Sequence, residues 1–233
     1  MALRLHHPSS GEQSPLSVLA GYESGHVCIW TQSPTATTTT DPSSIPNQWS
    51  TTYIARPHTQ PILSLALAPQ HQNAFYTSSA DALVTRHPLL PSASLSSSGI
   101  SPIAGAGAMK VIQTKHAGQQ SLTVRSDEKF FATAGWDGRV RVYSAKTMRE
   151  VAVLKWHSEG CYAVDFGVVS DDDRDGGEDG NGDGDEDGVA VMGRRRAGGR
   201  GTTVAQRRVA KARATHWLAV GSKDGKVSLW DIY

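Results

Sequence analysis

The stretch 130–157, FFATAGWDGRVRVYSAKTMREVAVLKWH, constrains the fold of this chain more than any other. Two alternating runs, Phe130–Gly135 and Arg139–Ser144, flank Trp136-Asp137-Gly138. Alternation at period two puts the apolar side chains on one face of a strand, and a Gly after Asp accepts the positive φ of a tight turn. The pair therefore reads as a β-hairpin. A third run, Glu150–Lys155, follows a short loop, and His157 closes the unit. The unit recurs. Trp30, His87, Tyr143 and Trp230 each end the second strand, at intervals of 57, 56 and 87 residues (30 to 87, 87 to 143, 143 to 230). Six residues before each stand Ser24, Asp81, Asp137 and Asp224, followed by Gly25, Ala82, Gly138 and Gly225. His58, His116 and His157 lie ahead of the last three units. Repetition of one supersecondary unit predicts an all-β array in which each sheet buries its face on the next.

The order His … Asp-Gly … Trp-Asp resembles the WD repeat, and 223–231, KDGKVSLWD, matches it most fully. Each WD repeat supplies four strands of a β-propeller blade, with a period of roughly 40–45 residues. The longer spacings here read as insertions. A closer resemblance lies in LAGYESGHVCIW (19–30), FFATAGWDGRVRVY (130–143) with VLKWHSEGCYAV (153–164), and GSKDGKVSLWDIY (221–233). Together these look like the C-terminal half of the ASTRA-associated protein 1 family; they also resemble a related G-protein-β-like family.

Taken in order, the strands are expected at 2–6, 16–22, 26–31 and 51–56, then 62–68, 74–79, 83–89 and 109–115. The third unit takes 121–126 and the three runs of the opening stretch; the fourth takes 161–167, 216–222 and 226–232. This makes four blades, roughly 2–56, 62–115, 121–155 and 161–233. Low-complexity loops fill 31–50, 90–108 and 170–213, where added length costs little closure entropy. WD propellers usually close with about seven blades, the last completed by a strand from the other end of the chain. The expectation is therefore the C-terminal half of a longer, seven-bladed-type propeller, or a shortened gene model.

The 233 residues are 38% hydrophobic and 19% charged, with a net charge of +1. Such a balance gives no bulk attraction to nucleic acid or acidic membranes. Cys28 and Cys161 fall inside strands and make no disulfide framework, which indicates a reducing compartment. No apolar run approaches the roughly 20 residues that span a bilayer. With no apolar secretory run at the N-terminus, the expected location is the nucleus, with the cytoplasm as the alternative.

Several residue sets resemble chemical sites. His116, Thr133, Asp137 and Tyr143 have the residue types of a hydrolytic triad. In the WD family the matching positions form a structural network of turn Asp, loop His, strand hydroxyl and aromatic, and the resemblance implies that role here. His58, Thr77, Asp81 and His87 read as a weaker copy, as do His157, Asp224 and Trp230, where Val220 stands in place of the hydroxyl. Asp171–Asp187 holds ten acidic residues, and 179–184, DGNGDG, fits the first half of a calcium loop. The twelfth position, where a bidentate Glu is needed, is Ala190, and in the overlapping candidate Arg194, so a solvated acidic loop is the reading. Gly193–Arg213 carries eight basic residues and no acidic one. It reads as a counterpart to the acidic block, as a nuclear import signal, or as a nucleic-acid contact; without interleaved aromatics it lacks a stacking platform. Nothing resembles a phosphate loop, a metal cluster or an elbow nucleophile, so neither enzymatic activity nor a cofactor is expected.

The function that follows is a non-catalytic scaffold. The family resemblance implies a subunit of the ASTRA complex, connected with chromatin regulation and with assembly of kinase complexes. G-protein-β-like signalling and nucleic-acid binding through 193–213 are the alternatives. Residues just before the turn Asp tend to project onto the binding face of WD propellers. By position these are Glu23, Ala80, Trp136 and Lys223. Trp136 lies in a tight turn where its own blade offers little cover.

Overall fold

The computed structural model describes residues 2–6, 16–32, 48–89, 109–167 and 215–232, with Val204, Arg207, Arg208, Ala210 and Lys211. Among the described residues, fifteen strands form four antiparallel sheets. The first contains β1 (Ala2–His6), β2 (Ser17–Gly21), β3 (Val27–Gln32) and β4 (Trp49–Ala55). The second contains β5 (Ile62–Leu67), β6 (Ala74–Ser79), β7 (Leu83–Pro88) and β8 (Lys110–Gln113). The third contains β9 (Gln119–Val124), β10 (Phe130–Gly135), β11 (Arg139–Ser144) and β12 (Glu150–Lys155). The fourth contains β13 (Cys161–Gly167), β14 (His216–Ser222) and β15 (Val227–Ile232). In each sheet the strands lie side by side in chain order, as in the blades of a β-propeller.

The turns after β2, β6, β10 and β14 explain why these hairpins form. Gly25, Gly138 and Gly225 take φ of 80°, 75° and 77°. Ala82 takes 66° at the equivalent place, a conformation that costs an L-residue about 1–2 kcal/mol. The Asp side chains fasten the turns from inside: Asp81, Asp137 and Asp224 accept the amides of Leu83, Arg139 and Lys226 at 3.0, 3.3 and 3.2 Å.

The core lies between sheets rather than within one. Leu19, Val27 and Ile29 meet Ile62, Leu65 and Phe75 between the first two. Tyr76 and Val84 meet Leu122, Phe131 and Tyr143 between the next two. Ala132, Val140 and Val142 meet Cys161, Val164, Leu218 and Val220 between the last two. Hydrogen bonds from the innermost strands stitch the same interfaces. Arg4 Nε donates to Leu65 O at 3.1 Å. Ser64 Oγ accepts the Leu122 amide at 3.1 Å, and Ser121 Oγ, at the equivalent register, accepts the Val164 amide at 3.3 Å.

The loop boundaries need two corrections. β3 runs to Gln32 and β4 begins at Trp49, the two residues being paired, so the hairpin reaches into the loop expected at 31–50. Positions 204, 207, 208, 210 and 211 are helical where 170–213 was expected to be loop throughout. The acidic block 171–187, the calcium-loop motif within it and most of the basic block lie outside the described residues. No described helix is long and apolar enough to cross a membrane.

Candidate functional site

The turns that follow β2, β6, β10 and β14 lie at the same end of the sheets as the loops leading into β5, β9 and β13. Gly138 abuts the carbonyls of His157 and Glu159, and Gly160 abuts the Trp136 backbone, so turn and lead-in loop pack directly. Most residues singled out from the sequence lie at this end or in the strands just beneath it.

The complete polar chain is in the second sheet, not the third. Asp81 accepts from His58 Nδ1 at 3.2 Å and from the Thr59 amide at 2.9 Å. His58 Nε2 lies 2.8 Å from Thr77 Oγ1, which lies 3.0 Å from His87 Nε2. His87 Nδ1 is 2.9 Å from Tyr53 Oη, on the first sheet. A carboxylate only accepts, so Nδ1 of His58 carries its proton and Nε2 is an acceptor. Thr77 then donates to His58, His87 Nε2–H donates to Thr77, and Tyr53 O–H donates to His87 Nδ1. Every donor points toward Asp81, and no member is left unpaired. Burial holds His58 below its usual range against the opposing pull of Asp81, and burial, then the His58 charge, pushes His87 down to about 3. Burial pushes Tyr53 up to about 12, so it stays a donor. His87 also stacks on Phe75, ring centres 4.4 Å apart.

In the third sheet the expected set comes together only in part. His116 Nδ1 stands 3.5 Å from Asp137 with its side chain well exposed, and its ring does not reach Thr133. Two other residues take its place. Arg141, fully buried, holds Asp137 through Nη2 at 2.6 Å and Nη1 at 3.2 Å. Gln119, also buried, accepts from Thr133 Oγ1 at 2.7 Å and donates to the His116 carbonyl at 2.9 Å. Gly135 makes room for this group, since a Cβ there would meet Asp137, Arg141 and Gln119. Burial disfavours the Asp137 carboxylate, yet the Arg141 hydrogen bonds and charge hold it below the usual range. The Tyr143 hydroxyl makes no hydrogen bond of ordinary geometry; its ring stacks on Phe131 at 5.0 Å.

The fourth sheet departs further. His157 does not pair with Asp224: its Nε2 lies 2.9 Å from Ser228 Oγ, which also accepts from Trp230 Nε1 at 2.9 Å. Ser228 thus supplies the hydroxyl that Val220 lacks. Asp224 is paired with Lys226 at 2.9 Å, which holds it down at about 2. In the first sheet Ser24 Oγ sits 2.9 Å from His26 Nδ1 in the turn.

Of the candidate face residues, Glu23 and Lys223 are exposed and Trp136 is 44% exposed. The Trp136 indole does not stand clear of its own blade. It lies over Gly118, where any Cβ would strike the ring, and Nε1 donates to Gln120 Oε1 at 2.8 Å. Trp156 and Tyr162 add exposed aromatic surface on the lead-in loop and the start of β13. Burial pushes the Cys161 thiol up to about 11, far from a nucleophile's range. Among the described residues no three His, Cys, Asp or Glu side chains gather as a metal site requires.

Repeated four-stranded sheets, Asp-fastened turns and a buried His–hydroxyl chain define the chain as a WD-repeat protein of the β-propeller class. A profile of the WD domain, G-beta repeat, matches residues 109–144 and 207–231. Proteins named ASTRA-associated protein 1 match much more of it. That of Penicillium rubens is 45% identical over 100% of this chain and 54% of its own length. That of Verticillium alfalfae is 48% identical over 94% of this chain and 47% of its own. That of Schizosaccharomyces pombe is 39% identical over 63% of this chain. The chain belongs to the ASTRA-associated protein 1 family, and it spans about half the length of the curated relatives it matches.

Proposed function

We propose that the chain is a non-catalytic scaffold of an ASTRA-type complex, working in the nucleus in chromatin regulation and in the assembly of kinase complexes. Its partners in this reading are protein subunits, and no small-molecule substrate, cofactor, nucleic acid or membrane enters its action. The observation that carries the reading is where the polar groups go. His58, Thr77 and Asp81, the set closest to a catalytic triad, are spent on one another inside the fold. What remains for recognition at the turn end is aromatic and charged surface: Trp136, Glu23 and Lys223. Trp is prominent among the residues that dominate binding energy, and a ring already held by Gly118 and Gln120 loses little further freedom on binding.

The test is recovery of partner subunits on the tagged chain, wild type against Trp136→Ala, with circular dichroism and melting as controls. The substitution should weaken partner affinity by about 2 kcal/mol or more with the fold intact. Equal recovery would remove Trp136 from the interface.

A further inference from the structure

At the turn end of the third sheet, two cations are placed where they weaken the fold. Arg139 and Lys155 lie directly opposite one another across the β11–β12 ladder, and both are exposed. Like charges so placed repel and destabilise a sheet. Among the described residues no carboxylate pairs with the side chain of either. Asp137 accepts the Arg139 amide, but its two oxygens are held by the Arg141 guanidinium at 3.2 and 2.6 Å. Other sheets avoid this arrangement. In the second, the facing residues are Leu83 and Gln113. In the fourth, Lys226 follows Asp224 as Arg139 follows Asp137, and it is neutralised by that Asp at 2.9 Å.

A third exposed cation, Lys115, stands in the loop leading into β9. The same loop sets His116 3.5 Å from Asp137 and Gly118 beneath the Trp136 ring. Three unpaired cations therefore gather about an indole that is 44% exposed. Such a field draws an anionic partner, and the indole favours one with an apolar side chain. Carboxylates are interspersed here: Asp137 in the turn, Glu150 on β12, and Glu159 in the loop that abuts Gly138. A continuous run of phosphates would have to cross them. A short peptide can instead set single carboxylates on the cations, and a guanidinium fork matches a carboxylate with two parallel hydrogen bonds.

We propose that this end of the third sheet binds an acidic peptide segment of a partner protein. Its carboxylates sit on Arg139, Lys155 and Lys115, and an apolar side chain sits on Trp136. A carboxylate between Arg139 and Lys155 relieves the repulsion that the free chain carries. The proposal rests on the reading of this end as the recognition surface and adds the chemistry of what it recognises.

Fluorescence anisotropy on the full chain tests it, with a fluorescein-labelled peptide of Asp and Glu around one Leu. A counterpart with Lys in place of the acids, and a single-stranded RNA of equal charge, serve as comparisons. The acidic peptide should bind, and more weakly as salt rises. Arg139→Gln should lower its affinity about tenfold or more, the loss expected for a hydrogen bond between charged groups. Its melting temperature should stay level or rise, because the like-charge pair is gone. Lys155→Gln should behave in the same way and decides the matter if Arg139→Gln fails to fold. Wild-type binding no tighter than that of the Lys peptide, or unchanged in both variants, overturns the proposal; tighter binding of the RNA overturns it in favour of nucleic acid. Recovery of partner subunits separates the two readings. Loss in Trp136→Ala with none in Arg139→Gln keeps the surface and overturns its acidic ligand, whereas no loss in either overturns the surface itself.

Discussion

Replacing Trp by His at position 87 gives the polar chain a nitrogen that an indole does not have, and that nitrogen needs a donor. Tyr53 supplies it from the neighbouring sheet, at 2.9 Å. Tyr53→Phe keeps the ring, which packs edge-on against Phe75 and His87 with centres 5.9 Å away in both cases. It removes a hydrogen bond worth about 0.5–1.5 kcal/mol net and leaves His87 Nδ1 a buried acceptor without a partner, a cost of about 1–3 kcal/mol. The variant should therefore lose about 1–3 kcal/mol in denaturant titrations, with roughly 2–4 °C of melting temperature per kcal/mol for a chain of this size. A double-mutant cycle isolates the pair. In a His87→Phe background the unsatisfied acceptor is gone, so Tyr53→Phe should cost much less there, with a coupling energy of at least about 0.5 kcal/mol. Additive effects, or a Tyr53→Phe variant as stable as wild type, would refute the chain of donors.

Asp137→Ala should cost about 3 kcal/mol, because it leaves the buried Arg141 guanidinium with only Glu150, 3.7 Å from its Nε. His116→Ala, which removes an exposed and longer pair, should cost under about 1 kcal/mol; equal losses in urea titrations would mean that His116, not Arg141, holds the turn. Stability should also fall as pH drops below about 6.5. His58 and His87 have folded values below the usual 6.5, so the unfolded chain binds the extra protons, and the loss continues for His87 down to about 3. A stability–pH profile should show this limb flattened in His87→Phe, and an unchanged slope in that variant would place the titration elsewhere.

Strands and turns were legible because they are local. Period-two alternation and Asp-Gly punctuation placed β10, β11 and β12 at the observed residues, and the same signals located the four turns, Ala82 included. The family was legible too, through segments that keep their residues and spacing together. The partners of the polar side chains were not. His116, Thr133 and Asp137 have the right spacing, yet Arg141 occupies the place expected of His116. The one available signal was a charged residue between two valines, Val140 and Val142, in a strand reading as inward-facing. A guanidinium buried there must find a carboxylate, and Asp137 is four residues away. Gln119 and Ser228 gave no comparable signal. The second sheet, read as the weaker copy, holds the fuller chain because Tyr53 reaches it from another sheet, 34 residues away. Trp136 read as exposed at a turn, and only the packed loop revealed Gly118 beneath its ring. Sequence by itself determined which stretches are strands, where they turn and which family they belong to, because those depend on neighbours along the chain. Tertiary structure alone decided which hydroxyl, ring or guanidinium satisfies each buried polar group. That choice depends on distances across sheets, which packing sets and spacing does not record.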